Sequence, residues 1–285
     1  MGGLGWAAGL SVLSAAAYAA AAVAQERLAE HRHRGRSRWA AALLLTGTGV
    51  VLHVLALNFG TVAVVQALGT LTLLFALPIQ VVRYHRRVSP AAWRDAALTV
   101  AGLALILSLS VQPAGPALLT EPAVRVLSAV TAGVVLLGAL GAWRAGPRTR
   151  AVLLAGASGV AFGIASVLSK AVLAALTNGG PGRVSTVAGV MLVALAVTGY
   201  LLGQLSYRGA GLAAPLATVS VANPLVAAVA GVVMFGEGVR FGTAGLVTAA
   251  IAAVVMGLGV TGLARRSAGS PPDDPRLTAP AAAAQ

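Results

Sequence analysis

The sequence predicts an all-α polytopic membrane protein, and three observations carry that prediction. Of the 285 residues, 58% are hydrophobic and only 9% charged, whereas covering a water-facing surface takes roughly a quarter charged residues. The charged residues sit in short clusters between nine apolar runs, each near the roughly 20 residues that a helix needs to cross a hydrocarbon core. The basic residues fall on alternate connections between those runs, as they do in membrane proteins. This pattern excludes a soluble enzyme, a coiled coil and a disordered chain. The absence of cysteine excludes disulfides, thiol nucleophiles and Cys-based metal sites.

The nine runs lie at 4–24, 39–57, 61–82, 95–112, 124–143, 151–176, 184–206, 210–235 and 241–263. Strong positive charge follows the first run and no basic segment precedes it. That is the wrong polarity for a cleavable signal peptide, so a retained helix is expected. Its alanine-rich stretch, 15–22, is weakly hydrophobic per residue and is expected to pack inside the bundle.

Arg27, Arg32, Arg34, Arg36 and Arg38 fall in the first connection, Arg83, Arg86 and Arg87 (with Arg94 just beyond) in the third, and Arg144, Arg148 and Arg150 in the fifth. Arg208 lies in the seventh, and Arg265, Arg266 and Arg276 in the tail. The opposite side holds only Arg125, Arg183 and Arg240, while Lys170 lies within a span. An excess of arginine marks the cytoplasmic side. The expectation is a multi-pass protein of the cell membrane with its N-terminus outside and its C-terminus inside, which an odd number of helices also requires. The net charge of +13 is therefore read as arginines flanking spans, and nucleic acid is not an expected partner. Residues 265–285 are small, polar and proline-rich and are expected to form a disordered cytoplasmic tail.

The two halves show an ordered similarity. At a spacing of 144, Ser14, Tyr18, Val23 and Glu26 face Ser158, Phe162, Val167 and Lys170. At a spacing of 150, Thr48, Gly49, Leu52, Leu55, Ala63 and Ala67 match Thr198, Gly199, Leu202, Leu205, Ala213 and Ala217. Residues 1–112 and 151–264 thus read as two four-helix repeats, with 113–150 supplying a linking fifth helix. One linking helix inverts the second repeat, and inverted repeats recur in alternating-access transporters.

Two stretches carry a family resemblance. TGVVLHVLALNFGTVAVVQALGTLTLLFALPIQ, residues 48–80, resembles the third-to-fourth helix region of the drug/metabolite transporter superfamily. Residues 211–260 resemble its EamA-type repeat, the matching points being Pro224, Glu237 after a glycine, Gly245 and Gly257. The resemblance implies two interleaved inverted repeats around a central cavity. EamA-type members usually have ten helices with the N-terminus inside. Nine helices is instead similar to the NIPA-type branch, associated with magnesium, whose first helix also ends in a charged cluster like Gln25, Glu26 and Arg27.

Polar groups within hydrocarbon are costly, and each is a functional candidate. Lys170 is the sharpest: it either pairs with an anionic solute or a carboxylate, or snorkels to the headgroups. Glu26, its counterpart in the first half, and Glu237 are read as gate or interface positions. Glu26 is also placed to pair with Arg27 in water, and Glu237 to cap the ninth helix near its N-terminus. His53 is placed either to couple protonation to transport or to pack as a neutral core residue. Gln66, Gln204, Tyr207 and Asn223 are candidates to line a cavity or to bridge helices. Pro224 removes a backbone donor in mid-helix, which either frees a carbonyl for a cavity or merely kinks the helix.

No catalytic constellation, metal-ligand set or phosphate-cradling loop is present, so neither an enzyme nor a cofactor is expected. The expected function is a secondary transporter or facilitator of a small solute. The alternatives are a NIPA-type magnesium transporter, against which stands the lack of mid-span carboxylates, and a non-transporting membrane scaffold. The expected partners are the bilayer, the solute and, as one option, a second copy of the chain.

Overall fold

The computed structural model describes residues 2–30, 36–72, 74–75, 78–79, 89–111, 115–206 and 213–268. Among them are nine α-helices: α1 (Gly2–Glu30), α2 (Arg36–Phe59), α3 (Val62–Gly69), α4 (Pro90–Leu109), α5 (Glu121–Trp143), α6 (Pro147–Gly179), α7 (Thr186–Ser206), α8 (Ala213–Phe235) and α9 (Gly242–Ala268). Each predicted run overlaps one of them. Two residues of β1 (Ser110–Val111) pair antiparallel with β2 (Gly238–Val239). Six helices, α1, α2, α5, α6, α7 and α9, are long and apolar enough to cross a membrane. The chain is accordingly a multi-pass helical membrane protein. α9 runs to Ala268, four residues into the stretch 265–285 expected as a disordered tail, and residues 269–285 lie outside the described residues.

Local chemistry sets the helix ends. Ser89 and Thr120 cap α4 and α5, their hydroxyls accepting from Ala92 N and Ala123 N, and a proline occupies the first turn of each helix. The cap at Ser89 carries the start of α4 back to Pro90, ahead of the expected 95, and so puts Arg94 and Asp95 inside the helix. Pro147 likewise starts α6 earlier than the apolar run suggests.

α6 is the central helix. Val167, Leu168, Ser169, Lys170 and Ala171 are buried in succession, and five consecutive residues of a helix point in every direction around its axis. α7, α8 and α5 pack around it. At Gly159 and Gly163 an added Cβ would lie 2.6 Å from Ala222 Cβ and 2.9 Å from Asn223 O, so α6 and α8 meet backbone to backbone. The other close pair is α4 with α9, where Gly102 abuts Ala252 O and Met256, and Gly262 abuts the buried Asp95 carboxylate. Of the alanine stretch expected to pack inside the bundle, Ala15, Ala19 and Ala21 are buried but Ala16 is exposed, so α1 presents one face inward, where it packs on α2.

The contact between α1 and α2 recurs between α6 and α7. Ser14 Oγ donates to Gly49 O at 2.7 Å, and Ser158 Oγ donates to Gly199 O at 2.7 Å. The Tyr18 ring lies over Gly49 and the Phe162 ring over Gly199. These are residues that the spacings of 144 and 150 pair in the sequence.

The outer surface is apolar: Leu44 is 71% and Leu137 70% exposed, with Val193, Val233 and Leu258 similar. A surface of this kind suits hydrocarbon rather than water. Trp39, Trp93 and Trp143 stand exposed at the helix ends nearest the arginines, where interfacial anchors belong.

Candidate functional site

The arginine-poor connections converge at one end of the bundle. α2 stops at Phe59, and α3 restarts at Val62 after a two-residue break. Gly60 N closes the last turn of α2 by donating to Ala56 O at 3.1 Å. Thr61, in extended conformation, caps α3 by accepting from Val64 N. Gly60 is required because a Cβ there would lie 2.7 Å from Ala7 Cβ of α1. The same break is pinned sideways, Thr61 Oγ1 lying 2.8 Å from Ser110 Oγ.

The α8–α9 turn arrives from the other half of the chain. Gly236 takes φ of 65°, a left-handed conformation in which glycine escapes the Cβ penalty, and donates to Val232 O at 3.0 Å. Its successor, Glu237, points back into the protein. The strand pair Ser110–Val239 and the bond from Arg240 N to Leu109 O at 2.8 Å fasten this turn to the end of α4.

Lys170 and Glu237 meet at this junction. Lys170 Nζ lies 2.6 Å from Glu237 Oε1, and the two side chains are 8% and 2% exposed. Nζ also donates to Gly60 O at 2.8 Å and stands 5.3 Å from the centre of the Phe235 ring, within cation–π range. Both carboxylate oxygens of Glu237 accept from Val62 N, at 2.7 and 2.9 Å. The acid therefore sits at the positive N-terminal end of α3 while it neutralises the lysine. A charge-assisted pair that is further hydrogen-bonded to backbone groups is the form in which a buried charge is tolerated.

Beside the pair is a cavity of about 250 Å³ lined by Leu57, Asn58, Gly60, Lys170, Ala174 and Asn178, with Gly115, Pro116 and Ala117 from the α4–α5 connection. Among the described residues Lys170 is its one charged lining residue. The ends of α2 and α6 both face it, and Asn178 Nδ2 donates to Ala174 O at 2.8 Å in the last turn of α6.

Lys170 is thus paired with a carboxylate and does not snorkel. Glu237 caps a helix, but that helix is α3 rather than α9, because Gly236 turns the side chain inward instead of along the chain. Glu26 lies in the last turns of α1, at the opposite end of the bundle from Lys170, so the two repeat-matched residues are not brought together; its side chain lies outside the described residues, and so does all of Tyr207. His53 is half-buried on α2, about two turns before the break. Gln66 is buried on α3 with its Nε2 unpartnered, and Asn223 has a buried, unpartnered Oδ1 on α8. Pro224 lines an apolar groove between α8 and α9 instead of the polar cavity. Gln204 is exposed on the outer face of α7 and is not brought to either cavity.

Sequence reasoning missed Gly60, Asn58 and Asn178. Asn58 and Gly60 form the polar interruption of the apolar stretch 48–80, and Asn178 ends the longest helix, which are the signals by which they stand out.

Fold and site together define a multi-pass helical membrane protein in which a buried ion pair of α6 and the α8–α9 turn is hydrogen-bonded to the α2–α3 break. Among known proteins the chain is similar to an uncharacterized protein of Corynebacterium glutamicum, 27% identical over 236 residues, which are 80% of each chain. No family model matches the chain, and no solved structure matches it.

Proposed function

We propose that the chain is a secondary transporter or facilitator of the cell membrane that moves a small solute by alternating access between two inverted repeats. The Lys170–Glu237 pair carries this reading. It joins α6 and the α8–α9 turn of the second half to the α2–α3 break of the first half, beside a cavity of about 250 Å³. A buried ion pair is weak support for stability, because apolar residues of similar volume often serve as well, whereas its best-attested uses are in specifying and switching states. One displacement of Glu237 removes three contacts at once, which suits a latch.

The recurring serine-to-carbonyl contact supports the inverted repeat, and the close backbone approach of α4 with α9 gives the halves a glycine-lined surface to move on. Arginine on the opposite side from the latch supports a cytoplasmic placement of that side. In this orientation the latch closes the extracytoplasmic end.

The test begins with a thermal-shift panel of amino acids, nucleosides, sugars, lipophilic cations and magnesium. A ligand at 100 times its Kd stabilises the native state by about 2.7 kcal/mol. Flux of each stabilising solute is then followed in proteoliposomes with the native chain and with Glu237→Gln. The transport reading requires flux above empty vesicles and a changed rate in the variant. No flux from any stabilising solute makes the protein a scaffold, and a response to magnesium alone makes it a cation transporter.

A further inference from the structure

We propose that the groove between α8 and α9 binds one acyl chain of an anionic phospholipid whose headgroup phosphate is held by Arg265. This inference is independent of the transport reading.

The groove has a volume of about 520 Å³. Val221, Pro224 and Leu225 of α8 and Val254, Gly257 and Leu258 of α9 form its mouth, and most of them are exposed on the outer surface. Among the described residues Thr261 is the one polar side chain that lines it, and its hydroxyl donates to Leu258 O at 3.0 Å. Among the described lining residues the groove offers an occupant no free side-chain donor, and its otherwise apolar walls select hydrocarbon. From Ala250 to Thr261 it follows α9 for 11 residues, or about 16 Å at the helical rise, so the space is elongated.

The groove also has a charged end. Residues 254, 258, 261 and 265 recur at intervals of four, three and four, which places them on one stripe of α9. Arg265 is exposed and follows Thr261 on that stripe by one turn, at the arginine-rich end of the helix. The occupant is therefore apolar along most of its length and negative where it leaves the groove at the headgroup level. An anionic phospholipid has that pattern. A wholly apolar solute leaves Arg265 without a role, and a cationic one is repelled by it.

The space is real at Gly257, where the nearest atom to an added Cβ, Val221 Cγ2, is 3.9 Å away. A Cβ there points into open space, and a larger side chain takes up volume the occupant would need.

Native mass spectrometry of the full, delipidated chain in detergent tests the proposal, with equal amounts of dioleoyl phosphatidylglycerol and dioleoyl phosphatidylcholine added. The native chain is expected to retain one phosphatidylglycerol in preference to phosphatidylcholine. Arg265→Gln is expected to lower phosphatidylglycerol retention about fivefold and to leave phosphatidylcholine unchanged. Gly257→Leu is expected to lower retention of both. Equal retention of the two lipids by the native chain overturns the proposal, as does unchanged phosphatidylglycerol retention in both variants. If Gly257→Leu shows no thermal transition, the lipid ratio in Arg265→Gln decides alone. Preferential uptake of a lipophilic cation over both lipids also overturns the proposal and makes the groove a solute path.

Discussion

Gly231 stands where Glu237 needs it. A Cβ on this α8 glycine would lie 2.6 Å from Glu237 Oε2 and 3.1 Å from Val62 Cβ, so the missing side chain is the space the carboxylate occupies. Gly231→Ala is expected to push the carboxylate off Val62 N and to cost about 1–3 kcal/mol from overpacking, read as a lowered Tm in detergent. Gly257→Ala, with no atom nearer than 3.9 Å, is the control and is expected to leave Tm almost unchanged. Equal behaviour of the two variants would remove Gly231 from the site.

The ion pair makes a non-additive prediction. Removing one partner leaves the other charge buried and alone, which costs about 3–5 kcal/mol. Lys170→Met and Glu237→Leu are each expected to lower Tm sharply, and the double variant is expected to recover much of the loss. Additive losses in the cycle would mean that the two side chains are independent of one another.

Lacking cysteine, the chain can be labelled at single introduced thiols. Asn58→Cys and Asn178→Cys report on the cavity. Adding Glu237→Gln to either is expected to raise the rate of reaction with a membrane-impermeant maleimide, because the latch loses its charge. The increase is expected from the extracytoplasmic side of oriented vesicles. Faster labelling only from the cytoplasmic side would reverse the orientation, and no change in rate would dissociate Glu237 from access to the cavity.

Ser14 and Ser158 are expected to behave alike. Each makes one interhelical hydrogen bond of 2.7 Å to a glycine carbonyl, and such a bond is worth about 1 kcal/mol. Ser14→Ala and Ser158→Ala are expected to lower stability by similar amounts, and the double variant by their sum. A large loss for one and none for the other would show that the two contacts serve different ends.

Much of the architecture was legible because hydrocarbon imposes its demands on composition. The nine runs each overlap a helix, whereas the alanine stretch of α1 is buried only along Ala15, Ala19 and Ala21, with Ala16 exposed. The ends were less legible where a cap or proline overrode the run of apolar residues, as at Ser89 and Pro147. Of the site, Lys170 and Glu237 were visible singly but not as a pair, since 67 residues separate them. Charge balance narrows the choice: on the arginine-poor side the only acids are Glu121 and Glu237. Glu121 sits on an exposed helix start, 3.8 Å from Arg125. What remains invisible in sequence is the direction of the Glu237 side chain, which depends on the left-handed Gly236 and on the gap at Gly231. Gln204 misled because a polar residue near a helix end is equally at home facing outward.

The first turn of α3 is completed by an atom from the far half of the protein. Thr61 satisfies Val64 N, but Val62 N is satisfied by Glu237 alone. Any motion that draws the α8–α9 turn away therefore uncovers a backbone donor at the positive end of a helix at the same moment that it frees the Lys170 ammonium. Withdrawing the turn leaves two adjacent electropositive groups that the carboxylate had neutralised. The opened end would thus be chemically a different surface from the closed one, with its appetite for water and negative charge switched on by the movement itself.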